Sequence, residues 1–205
     1  VLVLDPILPN ALMWRGTQLF NHGDLDGAER LLRRANDLGL QYVGLGLSAV
    51  SDARGRREEA VEQLVPALRA FLGDFAPGSA EVLARGIFGE GESRAKAVAL
   101  VDAYLATRPA IVAGIAPYAL LRLGQSERAL AVVEGAPTAN DALFFGVLWG
   151  PFGRVARTSP GFPEFARKVG FADLWERAAA DGTPVDQLRE QSAGLLPQIR
   201  GYLPF

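Results

Sequence analysis

NALMWRGTQLFNHGDLDGAERLLRRANDL, Asn10–Leu38, reads as two amphipathic helices joined at Gly23-Asp24. Leu12, Leu19 and Phe20 lie on the apolar side of the first helix, and Gly16 lets another helix approach closely. Gly23 ends that helix, and Asp24 caps the next through its side-chain oxygen. Leu25, Ala28, Leu31, Leu32, Ala35 and Leu38 then recur at helical spacing, with Arg30, Arg33 and Arg34 outside. One such pair cannot bury both of its apolar faces, so neighbouring pairs must stack.

The pattern recurs along the chain. A second pair runs over about 41–73: a helix over Tyr42–Ala53, a turn at Gly55, and an apolar face of Ala60, Val61, Leu64, Ala67, Leu68, Phe71 and Leu72. Pro66 falls inside that face and is expected to kink or split the helix, because it lacks a backbone donor. A third pair covers about 79–108, with Ser79 and Ser93 as expected caps. A fourth covers about 110–136, with Gly124 as its turn. The alanine after each turn falls at Ala28, Ala60, Ala97 and Ala129, at intervals of 32, 37 and 32 residues. Gly23, Gly55 and Gly124 each precede that alanine by five residues, and Leu32, Leu64, Val101 and Val133 each follow it by four.

A period near 34 residues built of helix-turn-helix units is the signature of the tetratricopeptide class. Gly16, Leu19, Gly23, Ala28, Leu32 and Ala35 resemble its consensus; Ala60, Leu64 and Ala67, and Ala97, Val101 and Pro109, resemble it in part. Leu4-Asp5-Pro6 looks like the closing turn of an earlier repeat. In the first helix of the later pairs, Ser48 and Arg85 replace the small residue, and Pro117 falls there in the fourth. The expected fold class is therefore all-α. The resemblance implies a right-handed α-solenoid over 1–140, with 141–205 as repeat-like and capping helices.

Within that last segment, Asp141–Trp149 reads as an apolar helix. Ser159–Phe171 reads as a turn, a short helix with Pro163 in its first turn, and a Gly stop. Thr183, Pro184 and Asp186 mark the start of a further helix that Pro197 should end or bend. The Pro-Phe…Gly…Trp pattern is similar to the terminal segment of tetratricopeptide arrays in bacterial signalling proteins. Such arrays follow a winged-helix DNA-binding domain or a nucleotide cyclase domain. A first residue of Val inside the apolar run VLVLDPILP suggests a piece of something longer.

Composition narrows the function classes. The net charge is −2 with Lys and Arg scattered, so no basic stripe points to nucleic acid. There is no Cys and one His, which removes thiolate sites and imidazole clusters; no cofactor is expected. The uncharged stretches Leu38–Ser51 and Ala142–Gly153 are too short and too interrupted to span a membrane. A cytoplasmic location is expected, or a periplasmic one if a parent protein is membrane-anchored.

No constellation supports catalysis. His22 sits at a helix end, where a cation suits the macrodipole. Gly86, Gly89 and Gly91 follow no strand and lack the Lys-Ser/Thr that closes a phosphate loop. The acid pairs Asp24 and Asp26, Glu58 and Glu59, and Glu90 and Glu92 fall at turns and first helical turns, where acids are favoured anyway.

The remaining reading is binding. By tetratricopeptide register the concave groove would present Asn10, Met13, Trp14, Thr17, Asn21, Tyr42, Leu45, Tyr118 and Arg122, together with Ala49, Ile111 and Ile115. Asn10, Asn21 and Arg122 offer hydrogen bonds, and Trp14, Tyr42 and Tyr118 offer aromatic anchors. The expected function is a protein- or peptide-binding module, with a homodimer as one form of partner. It would serve as the C-terminal sensory or regulatory part of a larger bacterial signalling or transcription protein. The alternatives are a small-molecule sensor binding in the groove and, third, an enzyme on a helical scaffold.

Overall fold

The computed structural model describes residues 8–73, 75–107, 115–135, 148–173 and 176, and among these described residues ten α-helices and two short 3-10 turns make up the regular structure. No strand occurs among the described residues. None of the described helices is long and apolar enough to cross a membrane. The chain divides into two compact units, Val1–Thr107 and Arg108–Phe205.

The first unit contains three helix pairs. α1 (Pro9–Asn21) turns at His22–Asp24 into α2 (Leu25–Asp37), with Gly23 at φ 83°. The Asp24 carboxylate accepts from the Gly27 amide at 2.8 Å, so the expected cap is in place. After a short link, the 3-10 turn Gln41–Val43 runs directly into α3 (Gly44–Ala53), and α4 (Arg57–Leu72) returns along it. α5 (Ser79–Phe88) and α6 (Gly91–Thr107) form the third pair. Each pair packs internally, α2 against α3 and α4 against α5.

Small residues set how closely these helices meet. A side chain at Gly16 would stand 2.8 Å from Leu32, and one at Gly46 would stand 3.0 Å from the same Leu32. Leu32 is fully buried. It is held between a glycine of its own pair and a glycine of the next, so one leucine joins two repeats. Gly44 lies against the Gln63 carbonyl of α4 and is irreplaceable for the same reason. Neither Gly44 nor Gly46 interrupts α3.

Three sequence expectations are corrected here. Pro66 does not split α4, which runs unbroken from Arg57 to Leu72. Pro66 is exposed, so the carbonyl it leaves without a donor can be hydrated. Ser79 is not the cap of α5: Gly78 takes that position at φ 74°, and the Ser79 hydroxyl donates to the Ala76 carbonyl at 2.8 Å. Ser93 lies inside α6, which begins at Gly91, and its hydroxyl donates back to the Glu90 carbonyl.

In the second unit, α7 (Ile115–Arg122) and α8 (Ser126–Glu134) pack as a hairpin around Gly124 at φ 77°. The 3-10 turn Pro151–Gly153 leads into α9 (Arg154–Arg157), and α10 (Phe162–Lys168) follows; both helices pack on α8. Trp149 meets Phe162 and Phe171 edge to face at 6.4 and 5.4 Å. The expected helix over Asp141–Trp149 lies mostly outside the described residues, and the expected C-terminal helix from Thr183 lies wholly outside them.

Candidate functional site

The two ends of the first two helix pairs differ in chemistry. At the turn end, charge is dense and paired. Glu29 of α2 accepts from Arg33 at 2.6 and 3.0 Å and is paired with Arg54 and, at 3.6 Å, Arg56. Arg54 also pairs with Asp26. Arg33 and Arg56 reach on to Glu59 of α4 at 3.3 and 2.8 Å. The hydrogen bond from Arg33 holds the Glu29 carboxyl below its usual range, and the charges of Arg33, Arg54 and Arg56 act in the same direction. They outweigh desolvation of a side chain only 16% exposed. This network joins α2 to the second pair, although Arg56 Nε and Nη2 are buried within it without a hydrogen-bond partner.

The opposite end has more exposed apolar surface, with Arg34, Asp37 and Arg69 exposed in the last turns of α2 and α4. The turn His22–Asp24 folds α2 back along α1, so the end of α2 returns to the level where α1 begins, and α3 starts there too. Leu8, Leu38 and Tyr42 are therefore neighbours by topology, 37%, 44% and 40% exposed. Trp14, 41% exposed, stands about 9 Å further along α1. Four of the six large apolar residues exposed in the described chain are thus within the first pair and the start of the second. Asn10 and Trp14 share a face of α1, and Tyr42 occupies in the second pair the place of Asn10 in the first, 32 residues earlier. The Tyr42 ring is fixed from below by Phe71 of α4, at 6.1 Å between centroids.

The nine residues expected to line one groove do not share one environment. Asn10, Trp14 and Tyr42 are exposed, and Met13, Thr17 and Asn21 are partly so. Leu45, with Ala49 beside it, is buried within the first unit. Tyr118 and Arg122, with Ile115, are buried in the second unit, where the Arg122 guanidinium lies 3.7 Å over the Phe152 ring. Ile111 lies outside the described residues. Leu8 and Leu38 were missed because neither lies on a first-helix face; their exposure follows from how the links meet.

Two other places gather polar groups. A shallow cavity of about 270 Å³ lies between Arg69, Gly73, Ala76, Pro77, Gly78 and the start of α5, but its one cation is paired with Glu81. In the second unit Arg157 is buried, and desolvation first, then Arg154, pulls its pKa down. Its Nη1 donates to the carbonyls of Leu148 and of Gly150, the latter at 2.9 Å, so it closes the turn before α9. Among the described residues no three His, Asp or Glu side chains gather as a metal site.

No protein-family model, no curated protein and no solved structure matches this chain.

Proposed function

We propose that this chain is a protein-interaction module of tetratricopeptide-like solenoid type that docks a partner on the apolar end of its first two helix pairs. The observation that carries the reading is the contrast between those ends. Charged groups at the turn end are engaged with one another, while Trp14, Tyr42, Leu8 and Leu38 stay open to solvent at the other. Exposed aromatic residues held by a rigid helical scaffold are the residue type that dominates interface energies. In this reading the module is the regulatory part of a larger bacterial signalling or transcription protein.

The test is a selection of binders from a random 20-residue peptide display library on the full chain, with the Trp14→Ala/Tyr42→Ala variant as control. Both side chains are partly exposed, and Tyr42 also packs on Phe71, so the variant should keep its circular dichroism spectrum with a somewhat lower melting temperature, and binding is compared where both proteins are fully folded. Selected peptides should bind the variant at least tenfold more weakly. Failure to select any binder, or equal binding to both proteins, would sink the reading.

A further inference from the structure

We infer that Asp26-Gly27 is a latent isoaspartate site, held unreactive by the cap of α2 and by Arg54. It lies at the turn end of the first pair and uses none of the docking residues. Among the described residues it is the one place where Asp or Asn precedes Gly. The reaction needs no enzyme. The Gly27 nitrogen attacks Cγ of the protonated Asp26 carboxyl, the amide gives up its proton, and water leaves from the carboxyl, closing a succinimide ring. Water then adds back at either ring carbonyl. Opening at the original main-chain carbonyl leaves Gly27 bonded through Cγ, with the former main-chain carbon as the free carboxyl. Such steps are fastest where Gly follows, because no Cβ shields the nitrogen.

One partner in the step is open and the other is fastened. The Asp26 side chain is 91% exposed, so water and protons reach it freely. Its carboxylate pairs with Arg54, just past the end of α3. To react it must swing back onto its own main chain, and the pair with Arg54 holds it away. Gly27 is buried, and its N–H donates to the Asp24 carboxylate at 2.8 Å. The Ala28 N–H donates to the Asp24 carbonyl at 3.0 Å, which closes the first turn around the step. Ring closure needs residue 26 to leave the helical region, so both bonds must break first. The cap therefore starts the helix and also keeps the attacking nitrogen occupied. An isoaspartate, once formed, adds a methylene to the main chain in the first turn of α2. The carboxylate that met Arg54 then leaves its place, and one link from α2 to the second pair is lost.

The full chain is incubated at mildly acid pH beside its Asp24→Ala, Asp24→Asn, Arg54→Gln and Gly86→Ala variants. Isoaspartate at residue 26 is followed by resistance to a protease that cleaves before Asp, and by methyl transfer from an isoaspartyl methyltransferase. The Asp181-Gly182 step of the same chain serves as a reference. The initial rate at residue 26 should be about fivefold higher in Asp24→Ala, the factor by which the turn opens more often when a typical cap is lost. Asp24→Asn keeps a capping oxygen and should react at the wild-type rate. Arg54→Gln should react about twofold faster or more. Gly86→Ala loosens the third pair, where a side chain would meet Ala97, and should leave the rate at residue 26 unchanged. Equal acceleration in Gly86→Ala and Asp24→Ala would mean reaction only through global unfolding and would overturn the inference. A slower reaction in Asp24→Ala would overturn it too, since the Asp24 carboxylate would then be helping to remove the amide proton. So would the absence of isoaspartate at residue 26 in every variant.

Discussion

Gly86 shows how much can turn on one position. Counting twelve residues back from the post-turn alanine picks Gly16 in the first pair and Ser48 in the second, and it picks Arg85 in the third. The structure exposes Arg85 and puts Gly86 at the crossing: a side chain there would lie 2.1 Å from the Ala97 methyl and 2.8 Å from the Ser93 carbonyl. The third turn is shorter, since only Gly89 and Glu90 separate α5 from α6. One residue fewer moves the contact by one position, about 100° around the helix. Gly86→Ala should therefore destabilise the first unit by about 1–3 kcal/mol in urea unfolding. Arg85→Ala should stay within about 0.5 kcal/mol. The reverse order of effects would show that the crossing had been placed wrongly.

At the scale of elements, the question is what locks the first pair to the second. Leu32 supplies the apolar part and Glu29 the polar part. The Glu29 carboxyl titrates below its usual value near 4.5 in the folded chain, chiefly because Arg33 donates to it. A depressed carboxylate pKa adds stability that is fully present above the unfolded-state value and is lost as the pH falls through the folded one. Stability should thus fall as the pH drops through and below about 4.5, and the Glu29→Gln variant should fall less steeply there. Urea midpoints measured across the pH range for both proteins would test this, and parallel curves would remove Glu29 from the junction. In the second unit the Lys168 pair with Glu134, at 2.5 Å, joins α10 to α8, and its pair with Glu164, at 3.0 Å, lies within α10; both are solvent-exposed and worth little.

For the molecule as a whole, the division at Thr107 is the main fact. The first unit has its own apolar core, in which Leu32, Leu64, Leu68 and Leu83 are all essentially buried. Three stacked pairs are the number at which such repeats become stable. Residues 1–107 made alone should give a helical spectrum and one cooperative urea transition. A broad, non-cooperative transition would mean that the rest of the chain completes that core.

Local pattern was enough to read the helices and most of their turns and buried residues, but not Leu38, which was read on the apolar face of α2 and is exposed past its end. Gly23, Asp24, Gly55 and Gly124 act within a few residues of themselves, and helical periodicity is a property of one segment. Two things were not legible. The crossing at Gly86 depends on the length of a turn, which shifts a contact without altering the apolar pattern. The apolar end made by Leu8, Leu38, Tyr42 and Trp14 depends on three chain segments meeting in space.

Sequence by itself determined the all-α class and the helix hairpins among the described residues, because spacing and capping are local and need no partner. Only the tertiary structure decided which surfaces stay open. Burial is a sum over neighbours from other helices, and it closed Leu45 and Tyr118 while leaving Trp14 and Tyr42 in water.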